Sequence, residues 1–156
     1  MPSAVEFLFH AFTQSYTAIK SYQGYRLLAI DGSDLHIATD SSDSDTYFQS
    51  GPNTKGYNLL HLNAIYDLCN RLYMDAIVQP RRLWNEGGAL AEMVDRSPIK
   101  GKTIAIADRG YKSYNNFAHL ERKGWNDVIR VKDFDSNGCY SQYLLSFLMW
   151  MNLNWL

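Results

Sequence analysis

Two short apolar runs, each closed by an aspartate and a glycine turn, constrain this chain more than any other feature. Leu27-Leu28-Ala29-Ile30 leads into Asp31-Gly32, and Ile104-Ala105-Ile106-Ala107 leads into Asp108-Arg109-Gly110. Four consecutive apolar residues bounded by turn signals read as a strand covered on both faces. An aspartate just beyond such a strand stands at the rim of the sheet, where open α/β sheets carry their chemistry. If the two strands are neighbours, two carboxylates converge. Held together they repel unless a proton or a cation lies between them. A hard, oxygen-seeking divalent cation such as Mg²⁺ suits that donor set. The competing reading makes each Asp a turn former or helix cap; the matched pair favours the shared site.

The remaining elements can be placed around these two strands. Residues 4–19 space Val5, Leu8, Phe9, Phe12, Tyr16 and Ile19 as an amphipathic helix, with Ser3 and Glu6 in a capping-box pattern. Gly24 breaks it and a strand over 25–30 follows; 35–38 either extends that strand or resumes it past a bulge. Residues 39–56, rich in Ser, Asp, Gly, Pro, Asn and Thr, read as a long exposed loop. Alternation from Leu59 to Tyr66, the turn Asp67-Leu68-Cys69-Asn70 and a second alternating run from Leu72 to Val78 predict a hairpin that Pro80 ends. Asn85 caps a short helix stopped by Pro98, and a second helix carries Tyr114, Phe117 and Leu120 before Gly124. Residues 127–131 form a last strand. Three antiparallel strands followed by βαβ crossovers make a mixed five-stranded α/β sheet flanked by helices. A ribonuclease-H-like arrangement is expected, with the first and fourth strands adjacent at the centre.

A chain of 156 residues holds one domain. Net charge is −1, so no global basic field advertises nucleic acid. The charges are unevenly spread: residues 31–45 hold five Asp and no Lys or Arg, whereas 51–156 hold thirteen Lys+Arg against ten Asp+Glu. A weak basic surface on the later part is thus left open. The two cysteines and four histidines (His10, His36, His61, His119) lack metal-ligand spacing. Asp34, Asp40, Asp43 and Asp45 lack the glycine and terminal Glu of a calcium loop and read as solvated. No signal peptide and no apolar run of about 20 residues is present, so a cytoplasmic location and no membrane partner are expected.

Ala29-Ile30-Asp31-Gly32-Ser33, Lys55-Gly56-Tyr57, Asn85-Glu86 and Ala107-Asp108-Arg109-Gly110-Tyr111 together resemble a bacterial insertion-sequence DDE transposase over residues 5–135. The resemblance implies a ribonuclease-H-like core that cuts transposon ends and joins them to target DNA. It implies Asp31 and Asp108 as the first two catalytic, metal-binding aspartates, with Mg²⁺ as cofactor and Mn²⁺ as substitute. Two such ions can polarise the attacking oxygen and neutralise the departing 3′ oxygen. Transposon-end and target DNA are then the partners, and a full-length parent would work as a homodimer in a synaptic complex. Arg109 and Lys112, just after the second Asp, are candidate phosphate contacts, equally readable as a solvated helix start. Arg81 and Arg82, beside Trp84, are candidate DNA contacts, equally readable as an exposed loop.

The family's third acid is a Glu on a helix after the last core strand, and none occurs beyond Glu121. Asp133 and Asp135 follow the last strand too closely to replace it. The pattern therefore divides the chain into a partial core, 1–135, and an atypical tail, 136–156, with the fold incomplete at its C-terminus. From Cys139 to Leu156 no residue is charged. Either a shifted reading frame replaces the family's insertion, or a hydrophobic helix packs on the sheet. The favoured reading is a transposase fragment, inactive alone. The alternatives are a non-catalytic DNA- or transposase-binding fragment, or another metal-dependent phosphodiester or phosphate hydrolase.

Overall fold

The computed structural model describes residues 4–15 and 18–130. Helix α1 (Ala4–Ser15) precedes strands β1 (Arg26–Ile37), β2 (Tyr47–Phe48), β3 (Tyr57–Asp67) and β4 (Leu72–Pro80). Helix α2 (Glu86–Arg96), strand β5 (Thr103–Ala107), helix α3 (Tyr114–Lys123) and strand β6 (Asn126–Ile129) follow. Short 3-10 turns at Arg81–Leu83 and Arg109–Tyr111 lead into the two later helices. The capping box of Ser3 and Glu6, and everything expected of residues 131–156, lie outside what is described.

One mixed sheet holds the molecule together. β1 pairs antiparallel with β3 and parallel with β5, and β5 pairs parallel with β6. β4 extends the sheet beyond β3. The first strand and the strand at 103–107 are thus central neighbours, as a ribonuclease-H-like sheet requires. Among the described residues the sheet has six strands rather than the five expected, because Tyr47 and Phe48 leave the Asp- and Ser-rich loop to pair with Asn58 and Tyr57. A larger difference concerns β1. Asp31 does not end the strand; antiparallel pairing with β3 carries β1 on as far as Ile37↔Asn58. Asp34, expected in a solvated loop, accordingly lies inside that strand.

The hairpin turn is built from Asp67, whose Oδ1 accepts from the backbone N–H groups of Cys69 and Asn70. Arg26 donates to the same carboxylate at 2.6 Å. α2 is capped by Asn85, whose side chain accepts from Gly88 N at 2.9 Å. α3 ends on Gly124 at φ 73°, a left-handed conformation that closes the last turn through Gly124 N–Glu121 O and Trp125 N–Leu120 O. The core lies between one sheet face (Leu28, Ile30, Ala105, Ala107) and the apolar sides of α2 (Leu90, Met93, Val94) and α3 (Leu120). The Asp75 carboxylate, buried under α2, takes two hydrogen bonds from Arg96 and so bolts that helix to β4.

Candidate active site at the end of the central strand pair

Pairing of β1 with β5 runs from Arg26↔Thr103 to Ile30↔Ala107 and stops there. Asp31, within β1, and Asp108, just past β5, each occupy the next position along, where the pairing of two strands about 4.8 Å apart stops. Leu28 and Ile30 face the helices, so alternation sends the Asp31 side chain to the opposite face. Asp108 keeps an extended backbone, φ −77° and ψ 170°, after the helix-facing Ala107 and so leaves on the Asp31 side. Both aspartates are exposed. Asp31 accepts from Gly32 N at 2.9 Å, and Arg130 approaches Asp108 at 3.8 Å.

Among the described residues no three His, Cys, Asp or Glu side chains form a ready metal cage. The donor chemistry nonetheless fits a small divalent ion. Mg²⁺ is commonly held by one or two carboxylates, with water and substrate oxygens completing its shell.

The other sequence-derived candidates divide into two groups. Arg109 is exposed in the 3-10 turn directly after Asp108, and Lys112 is half-buried at its end. Arg82 is exposed beyond β4, but Arg81 lies with its guanidinium 4.0 Å from the centre of the Trp84 ring. That stacking makes Arg81 part of an aromatic platform, with Phe48 also within 5.7 Å. The platform joins the site through His61, whose ring meets Trp84 edge-on at 4.5 Å.

Sequence reasoning missed the polar group on the helix side of the two aspartates. His61 is 3% exposed, with Nδ1 2.8 Å from Asp34 and Nε2 3.3 Å from Glu86. Tyr111 is buried and donates from its hydroxyl to Asn63 Oδ1 at 2.9 Å. Burial, then the charges of Glu86 and Asp31, push the Tyr111 phenol well above its ordinary value. The only forward signal was the Asn85-Glu86 pair at a helix start; the partners of His61 lie far away along the chain.

Comparison with known proteins gives two findings. The sequence model of the family described as "Transposase DDE domain" matches residues 22–138. No curated protein matches. Among solved structures, similarity is found to a piggyBac transposase synaptic complex with hairpin DNA, seen by cryo-electron microscopy. Identity is 14% and the TM-score 0.46; the match covers 71% of this chain and 24% of the length of that one. No helix among the described residues is long and apolar enough to cross a membrane.

Proposed function

This chain belongs to the transposase DDE domain family, and we propose that Asp31 and Asp108 are its divalent-cation ligands in DNA cleavage and strand transfer. The observation that carries this is the β1–β5 register, in which Ile30 faces Ala107 and the two aspartates come next on adjoining strands. Mg²⁺ is the expected ion and Mn²⁺ its substitute. Bound there, such ions would polarise an attacking water or 3′-hydroxyl and offset charge on the departing 3′ oxygen. The chain's own residues supply the rest. Asp31 and Asp108 give hard oxygen donors on a rigid strand pair. Arg109, and Lys112 after it, hold phosphates of transposon-end and target DNA close to those donors. Arg82, with the Arg81–Trp84 platform, extends the contact along the backbone. A cytoplasmic setting agrees with DNA as the substrate.

The active form on this reading is a homodimer in a synaptic complex, and we expect little or no cleavage by these 156 residues alone. The test is incubation with terminal-repeat DNA and Mg²⁺ or Mn²⁺, alongside Asp31→Asn and Asp108→Asn. The expected result is salt-sensitive DNA binding with cation binding that either substitution removes. Cation binding that survives both substitutions would overturn the assignment.

A further inference from the structure

Gly32 and Gly110, which follow the two aspartates, make room for a third carboxylate. Neither has the positive φ that would demand glycine for its backbone. At Gly32 the His61 ring takes the space, and at Gly110 the carboxylate end of Glu86, which can shift, takes it. A Cβ on Gly32 would sit 2.7 Å from His61 Nε2 and 3.2 Å from Glu86 Oε1. A Cβ on Gly110 would sit 2.8 Å from Glu86 Oε2. One carboxylate therefore lies against both glycines, one oxygen to each.

Glu86 is held where it stands. It occupies the first position of α2, where the helix dipole favours an acid. Behind it, His61 Nε2 lies at 3.3 Å and makes no hydrogen bond, in a ring whose side chain is only 4% exposed. The far side of that ring is fixed by Asp34 at 2.8 Å, and its edge by Trp84. Gly32 faces the helices and Asp31 the opposite side, so Glu86 lies behind the aspartates rather than among them. It is placed to set their spacing and not to share their ligand.

We propose that Glu86 is a positioning residue for the cation site: its carboxylate, backed by the Asp34–His61 pair, packs Gly32 of β1 against the Gly110 turn and so fixes the approach of Asp31 to Asp108. This rests on the assignment of those two aspartates as cation ligands. A fixed approach matters because small ions demand tight geometry, whereas Ca²⁺ accepts a larger and looser set of oxygens. Loosening that packing should cost a small ion more than a large one.

The test uses the full 156-residue chain, with Mn²⁺ binding followed by electron paramagnetic resonance and Ca²⁺ by competition. Glu86→Ala should lower Mn²⁺ affinity about tenfold and lower Ca²⁺ affinity less, narrowing the preference. Gly110→Ala, which displaces the carboxylate, should do the same and carries the test if Glu86→Ala does not fold. Glu86→Gln keeps the length and the packing against Gly32 and Gly110, and should retain most of the preference. An unchanged preference in Glu86→Ala and Gly110→Ala, or equal losses for both ions, overturns the proposal while binding that needs Asp31 persists. Mn²⁺ binding that is absent, or indifferent to Asp31→Asn, instead overturns the underlying assignment.

Discussion

Tyr111 shows how closely chemistry and packing are tied at a single residue. Its ring belongs to the core under α2 and its hydroxyl is bonded to Asn63, one strand away from Gly32. Burial is the main cause that raises its phenol above the ordinary 10.0, and the negative charges of Glu86 and Asp31 add to it. A folded-state value above the unfolded one stabilises the protein fully below the unfolded value. That contribution is lost as pH rises from there through the folded value. Tyr111→Phe should therefore be less stable near neutrality, by about 1–3 kcal/mol, because Asn63 Oδ1 is left buried without its donor. Above pH 10.0 the gap should close, since only the wild type resists ionising there. Urea midpoints of both proteins at neutral and alkaline pH check this; a gap that stays constant would refute it. Asp75 makes a second case at this scale. It is 2% exposed and takes two hydrogen bonds from Arg96. Removing the carboxylate leaves Arg96 with its bonds to Glu92 and the Ala76 carbonyl but breaks two charge-assisted ones, so Asp75→Ala should cost about 1.5–3 kcal/mol in urea unfolding.

Elements whose signals are local were legible in the sequence, and those whose signals are tertiary were not. Asn85 and Gly124 mark the start of α2 and the end of α3 in the structure as they do in the sequence. Asn85→Ala should cost about 1 kcal/mol, and Gly124→Ala, at φ 73°, roughly 1–2 kcal/mol. Chemical denaturation of each single variant measures both; values near zero would mean the ends are held by packing alone. The two apolar runs were legible as central strands because residues on both sides of them are covered or flanked by strands. The length of β1 was not. Asp31, Gly32, Ser33 and Asp34 have turn composition, yet β3 offers an unbroken partner from Asn58 to Asp67, and pairing overrides local preference. The candidate aspartates could be named because each ends an apolar run. The Glu86–His61–Asp34 group could not, because its members come from a helix start and two strands, and no spacing in sequence announces their meeting. His61 and Asp34 make this plain. Their contact follows from the β1–β3 register, in which they are direct partners.

At the scale of the whole molecule, the sheet places Asp31 and Asp108, both exposed, where the central β1–β5 pairing stops. A ligand that bridges that position ties together β1 and β5, and through them the β3–β4 hairpin and β6. Binding to the folded state alone must then raise global stability, by about 2.7 kcal/mol when free ligand stands at a hundred times its dissociation constant. Adding Mn²⁺ should raise the melting temperature of the wild type and leave Asp31→Asn and Asp108→Asn unmoved. Without cation the order should reverse or level. Two like charges at adjoining positions repel, so Asp108→Asn loses that repulsion and should melt no lower than the wild type. Thermal melts with and without Mn²⁺ therefore give a crossing pattern that neither general destabilisation nor nonspecific ion binding reproduces. A wild type whose melting does not respond to Mn²⁺, or an Asp108→Asn variant that responds equally, would mean that the central pair carries no cation site.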